Sequence, residues 1–321
     1  MRELVLMKTV SFLKNSGFNV STFFDSNSCF DLIAKRKDLN LVIKVYSNID
    51  GFRKEQAEEL QKISQAFSAV VLLIGEKTKA FELKKGIVYE RHSVPSMNYQ
   101  TFVSIFDTAV PSMKYFKGKT IVELDSKELR EKRDELDLTL EELAEKTGIT
   151  KESLYRLEHG FKTSLETAKK LERLLKADLI LEKNLLEEFA SAQNFSEKFD
   201  QKDASHKVFD ETFDDSSLEK IHSLGLDLIE FKHAPFKAFG TQKEYLLIDK
   251  GKEKKDLQKK ALALEKTKAV FDSHSLIITK KFSLQKIFST PIIEEQELES
   301  YSKAKEFLSE IKKREKGKEK K

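Results

Sequence analysis

Lys151, Glu152, Ser153, Tyr155 and Arg156 crowd two successive turns of one short segment with hydrogen-bonding groups. Arginine presents a rigid planar fork of donors that can grip two acceptors at once, and lysine supplies a point charge. Glutamate only accepts, whereas the Ser and Tyr hydroxyls do both. Such a set suits the reading of a hydrogen-bonding edge rather than bond making. Its value depends on the neighbouring residues turning all five outward together.

The sequence around them does this. Thr139 is a helix N-cap, and Glu142 three residues on completes a capping box. Leu140 and Leu143 give that helix an apolar face, and the small Ala144 beside them lets a second helix approach closely. Gly148 suits the left-handed conformation that ends a helix, and Ile149 plugs the turn. Thr150 then caps a new helix whose inward positions are Leu154 and Leu157, leaving 151, 152, 153, 155 and 156 for a partner. This is the layout of a helix-turn-helix, whose second helix enters the DNA major groove.

The same residues resemble the phage-repressor (Cro and lambda-repressor) type of helix-turn-helix through Leu129–Arg133, Glu141–Ala144, Gly148–Thr150 and Glu158–Gly160. The resemblance implies a bridge from Arg133 to Glu158. It also implies double-stranded DNA as partner, with Lys151, Glu152 and Arg156 at base edges and Ser153 and Tyr155 nearer the backbone. Thr139, Thr150 and Lys162 complete the expected DNA-binding set. Arg133, Leu143, Ala144, Gly148, Ile149, Leu154, Leu157 and Glu158 form the expected scaffold. The resemblance continues through Ser164–Ala177, where Ser164 caps a helix with Leu165, Ala168, Leu171, Leu174 and Leu175 inward. Residues 126–160 nevertheless carry a net charge of −3, and residues 161–183 return only +2. Phosphate neutralisation drives most non-specific DNA affinity, so this module should bind weakly alone. A symmetric homodimer, or basic surfaces elsewhere, would have to help.

The 321 residues allow two or three domains. A composition 39% hydrophobic and 35% charged is globular, and no apolar run approaches the roughly 18 residues that span a bilayer. The first residues read as an amphipathic helix, not a signal peptide. One cysteine, Cys29, excludes an internal disulfide framework and fits a reducing cytoplasm. The histidines lack metal-ligand spacing, and the glycines form no phosphate-cradling loop, so no metal or nucleotide cofactor is expected.

Residues 1–110 alternate helix and strand patterns: a helix over 4–16, a meander over 18–25, 30–36 and 41–46, and a helix over 53–67. A buried strand over 69–74, a strand over 86–90 and a helix over 98–106 follow, which makes a mixed sheet flanked by helices. Residues 216–313 repeat the order. Leu73-Ile74 answers Ile277-Ile278, and Val94 through Phe102 aligns with Thr290 through Leu298 at one constant offset. The expected fold is therefore a central all-α helix-turn-helix bundle at 127–190 between two mixed-sheet α/β domains related as an internal repeat. Linkers are expected at 111–126, with room for a short strand at 120–124, and at 191–215, and a basic tail at 314–321.

The meander, helix and buried strand also resemble the restriction-endonuclease-like fold. That family's active site places an Asp on the second strand and Asp/Glu-x-Lys on the third, with Mg²⁺ on the carboxylates. Asp31 and Lys44 occupy the outer positions, but the middle acid is replaced by Val42, and the second copy offers about Lys237 and Asp249 instead. One carboxylate is a poor cage for a hard cation. These departures from the family's pattern point to a non-catalytic, nuclease-like scaffold. The whole layout resembles a family of archaeal helix-turn-helix regulators of about this length. The expected function is a cytoplasmic, DNA-binding transcriptional regulator and not an enzyme. The alternatives are a nuclease or junction-processing protein with a degenerate acid–lysine site, and a scaffold using the helix-turn-helix for protein contacts. The sequence does not indicate an effector.

Overall fold

A computed structural model describes residues 2–23, 28–106, 110–193, 209–210, 212–242, 244–281 and 284–317. The N-terminal region runs α1 (Arg2–Asn15), β1 (Asn19–Thr22), β2 (Leu32–Arg36), β3 (Leu39–Asn48), α2 (Lys54–Phe67), β4 (Ala69–Lys77), β5 (Ile87–Arg91), β6 (Val94–Met97) and α3 (Tyr99–Ser104). The middle holds β7 (Val110–Pro111), β8 (Met113–Phe116), β9 (Lys119–Val122), α4 (Ser126–Glu135), α5 (Leu140–Thr147) and α6 (Lys151–Leu157). It continues with β10 (Thr163–Ser164), α7 (Leu165–Leu175), β11 (Glu182–Lys183) and α8 (Leu185–Gln193). The C-terminal region is α9 (Ser216–Ser223), β12 (Asp227–Glu230), β13 (Ala238–Thr241), β14 (Tyr245–Lys250), α10 (Lys254–Lys268) and β15 (His274–Thr279). It closes with β16 (Lys286–Ile287), β17 (Thr290–Glu294), α11 (Glu295–Leu298) and α12 (Ala304–Lys316).

By internal contacts the chain forms two units, one of residues 1–45, 52–72 and 191–321, the other of residues 46–51 and 73–190. Strands β3 and β4 contribute residues to both. The repeat read from the sequence is present in the strand order. The N-terminal strands follow β1-β2-β3-β4-β6-β5 and the C-terminal strands β12-β13-β14-β15-β17-β16. In each copy the meander is antiparallel and the buried strand lies parallel to its neighbour, with Leu73 opposite Ser96 and Ile277 opposite Ile292. Leu226, Leu228, Leu246, Ile248, Leu276 and Ile278 fill the core between the C-terminal sheet and α9 and α12.

Within the first unit the two copies meet reciprocally. Lys62 of α2 donates to the Glu230 carbonyl at the end of β12 (3.2 Å), and Lys266 of α10 donates to the Thr22 carbonyl at the end of β1 (3.1 Å). Such an exchange of equivalent contacts is the mark of a two-fold interface, here built inside one chain. The loop after β12 is held in two ways. The Glu59 carboxylate accepts the Lys232 and His233 amides at 2.9 and 3.0 Å, and the His233 carbonyl accepts the Cys29 amide at 2.6 Å. Cys29 is fully buried.

Four expectations need correction. Val94–Met97 is a strand, β6, between β4 and β5 in the sheet. Residues 111–126 are not a linker: β8 and β9 form a hairpin turned at Lys117 and Gly118 (φ 46 and 84), paired through β8 to β5 and through β9 to β10. The tail does not start at 314, because α12 continues to Lys316. Arg314 binds Glu310 (2.8 Å) and Glu297, and Glu315 binds Lys268 (2.7 Å) and His274 (2.6 Å). The second strand pair turns at Lys37-Asp38, with Leu39 and Asn40 already in β3. Of the expected linker 191–215, Asp210 and Asp215 anchor the C-terminal copy, whereas 194–208 and 211 lie outside the described residues. So do the end of the first expected strand, 24–25, and residues 318–321.

Candidate nucleic-acid interface

Short-range capping shapes the central bundle. Asp125 accepts the Lys127 and Glu128 amides and starts α4. At α5, the Thr139 hydroxyl accepts the Glu142 amide (3.2 Å) while the Glu142 carboxylate accepts the Thr139 amide (2.8 Å), so the expected capping box is complete. Gly148 ends α5 at φ 68, a conformation that strains any side chain. Thr150 caps α6 by accepting the Ser153 amide at 3.2 Å. Leu129, Leu143, Leu154, Leu157, Ala168, Leu171 and Leu175 share one core with Val122, Leu124 and Leu179, and Ala144 and Ile149 pack against it. Burying such side chains contributes about 1.5–3 kcal/mol each.

The Arg133–Glu158 bridge is present. Arg133 Nε lies 2.7 Å and Nη2 3.3 Å from the two Glu158 oxygens, a fork-on-carboxylate arrangement, and Nη1 also donates to the Leu138 carbonyl (2.8 Å). The hydrogen bond to Glu158 raises the Arg133 guanidinium above its ordinary range. Arg130 adds a second contact to Glu158 at 3.4 Å. The pair ties α4 to the end of α6.

With Leu154 and Leu157 inward, Lys151, Glu152, Ser153, Tyr155 and Arg156 are all exposed, as are Thr139, Thr150 and Lys162. Their side chains differ in what they already hold. Lys151 pairs with Glu141, which lowers that carboxyl, and Lys162 pairs with Glu123 at 2.7 Å. Burial would raise Glu123, but Lys162 and Lys183 together bring it below the ordinary carboxylate range. Arg156 has no carboxylate partner among the described residues; its guanidinium lies over the Phe161 ring, 4.5 Å from the centroid. Sequence reasoning missed Phe161, whose only local signal is an exposed aromatic just after the Gly160 turn. A cleft of about 570 Å³ between β9 and the start of α7 gathers Lys119, Lys169, Lys170 and Arg173 together with Glu166.

The acid–lysine site of the N-terminal copy is also on view. The meander register places Asp31 opposite Lys44, and in the C-terminal copy Lys237 opposite Asp249, so the charges are exchanged between copies. Asp31 is fully buried and saturated: it takes Lys44 Nζ at 3.0 Å, Arg2 Nη2 at 2.7 Å and the Val45 amide at 2.8 Å. Two cations already hold its carboxylate, and Val42 supplies no side-chain oxygen. The residues do not fit a divalent metal. No group of three or more His, Cys, Asp or Glu able to hold an ion occurs among the described residues.

Fold and site thus define a helix-turn-helix protein whose central bundle lies, in sequence, between two mixed-sheet α/β copies of one strand order. Residues 2–111 match the family model described as a PD-(D/E)XK superfamily domain, and residues 129–180 match the model described as a helix-turn-helix. A relative from Archaeoglobus fulgidus is 30% identical over 314 aligned residues, covering 97% of this chain and 98% of its own. One from Methanococcus vannielii is 32% identical over 333 aligned positions, covering 99% and 100%. Both carry the name "Putative HTH-type transcriptional regulatory protein". The chain belongs to this archaeal family. No solved structure matches it.

Proposed function

We propose that the protein is a sequence-specific transcriptional regulator that binds double-stranded DNA through α6. The observation that carries this reading is the presentation of Lys151, Glu152, Ser153, Tyr155 and Arg156 on the exposed side of a helix whose other side is locked into the bundle core. Thr139, Thr150 and Lys162 border the same surface in the motif and suit backbone contacts. In the β9–α7 cleft Lys169 and Lys170 are paired with Glu172 and Glu166, which leaves Lys119 and Arg173 as the cations there that offset the acidic balance of residues 126–160. The flanking copies act without catalysis. Saturation of Asp31 by Arg2 and Lys44 supports that part.

The working unit is a homodimer reading a two-fold-related site. One repressor-type module covers only a half-site, and pairing two multiplies affinity when their spacing matches one helical turn, ~34 Å. Selection of bound fragments from random DNA by the purified protein tests the reading. A recurrent palindrome, with dimers in sedimentation, is expected. Failure to retain DNA at low salt overturns DNA binding, and a monomer on an asymmetric half-site overturns the dimer.

A further inference from the structure

Arg156 and Phe161 make an arrangement that the helix-turn-helix pattern does not require. The guanidinium carbon lies 4.5 Å from the Phe161 centroid, while the neighbouring Tyr155 ring pairs with His159, centroids 4.0 Å apart and planes inclined by 32°. Both Phe161 and Tyr155 remain half-exposed, at 50% and 55%, so these rings are not core. The Phe161 amide is fixed in turn, donating to the Arg156 carbonyl at 3.1 Å. Stacking engages the face of a guanidinium and leaves its in-plane N–H donors free. Those donors are the ones that grip the O6 and N7 acceptors of a guanine.

We propose that Phe161 is a specificity-determining positioning residue: its ring fixes the plane of the Arg156 guanidinium before DNA arrives, leaving the donor edge free for one base. The proposal rests on the reading of α6 as the DNA-reading helix. Arg156 suits the role better than Lys151, whose ammonium is already held by Glu141. A long side chain otherwise loses much rotamer freedom on binding, and prior ordering removes part of that cost.

The test compares full-length wild type with Phe161→Ala, Phe161→Leu, Phe161→Trp, Arg156→Ala and the Arg156→Ala/Phe161→Ala double variant. Each is put through random-sequence selection and then competition binding against the selected site and its single-base changes. Phe161→Ala and Phe161→Leu are expected to lose roughly three- to tenfold of the preference at the one base position that Arg156→Ala also relaxes. Phe161→Trp keeps the ring and should keep the preference. In the Arg156→Ala background Phe161→Ala should change nothing further at that position, which separates positioning from a direct contact. Unaltered preference in Phe161→Ala, alongside its loss in Arg156→Ala, overturns the proposal and leaves DNA reading intact. No change in either single variant overturns the proposal together with the assignment of Arg156 to a base. Since Phe161 is half-exposed, melting temperatures should match wild type; a variant that melts early shows a structural ring and also overturns the proposal.

Discussion

Phe67 and Phe271 stack face to face, with ring centroids 4.4 Å apart and planes inclined by 18°. They are equivalent residues of the two copies: Phe67 precedes Leu73 by the same spacing as Phe271 precedes Ile277, and Lys62 and Lys266 stand equally far before them. The stack therefore marks the point about which the reciprocal lysine contacts are arranged. The interface is isologous in pattern though both partners lie on one chain.

Phe67 and Phe271 are each about 3% exposed, so truncating either should open a cavity between the copies. Phe67→Ala is expected to destabilise the first unit by about 3–5 kcal/mol, and the double alanine variant by clearly less than the sum of the singles. Denaturant unfolding of the four proteins measures this. Strict additivity would show that the rings do not pack on one another.

Glu158→Ala removes the partner shared by Arg133 and Arg130 and leaves the largely buried Arg133 guanidinium with only the exposed Asp134 carboxylate and the Leu138 carbonyl. The cost for breaking a buried pair is about 3–5 kcal/mol. Calorimetry should show the central bundle melting separately and earlier than the α/β unit. A wild-type melting profile would mean that the bridge contributes little in solution.

Asp249 gives a pH signature. Burial raises its carboxyl from the ordinary range to about 6, with Lys260 opposing. The folded state thus holds this proton more tightly than the unfolded chain. The stabilising contribution is full below the unfolded value and lost as pH rises through about 6. Asp249→Asn should gain on wild type between ~pH 4 and ~pH 7, by on the order of 2–3 kcal/mol, and then level off. A difference independent of pH would place the carboxylate in contact with water.

With Asp31 saturated by Arg2 and Lys44, purified protein should leave duplex, single-stranded and junction DNA intact in Mg²⁺ or Mn²⁺. Cleavage matters only if Asp31→Ala or Lys44→Ala abolishes it, since contaminants also cut DNA. Such dependence would restore the nuclease reading.

Local physics explains which parts were legible. Caps act over three or four residues, so Thr139, Glu142, Gly148 and Thr150 could be placed from their spacing alone, whereas Asp31 and Lys44, with Lys237 and Asp249 after them, are picked out by the resemblance to the restriction-endonuclease-like fold and only strand pairing sets each pair opposite. The Arg133–Glu158 bridge came from the resemblance. What escaped depends on partners far away in the chain. β6 is four residues with Pro95 in it, and β4 and β5 define it as a strand. The β8–β9 hairpin has mixed polarity, Gly118 in its turn and Pro111 just before it in β7, so apart from a short strand at 120–124 it reads as a linker until β5 and β10 pair with it. Arg314 and Glu315 sit in a basic run, and only Glu297, Lys268 and His274 reveal that they are structural.

The closure over Cys29 has a practical consequence. This is the chain's sole thiol, fully buried, with its amide held by the His233 carbonyl of the other copy. Burial, with Glu59 adding to it, pushes the thiol well above its ordinary range, so it stays protonated and inert while the copies remain joined. Parting them would free the Cys29 amide, and any exposure of the sulfur that followed would be read by a maleimide. The molecule therefore carries a one-atom gauge of its own integrity, and labelling rate against temperature or bound DNA would report directly on whether its two halves ever come apart.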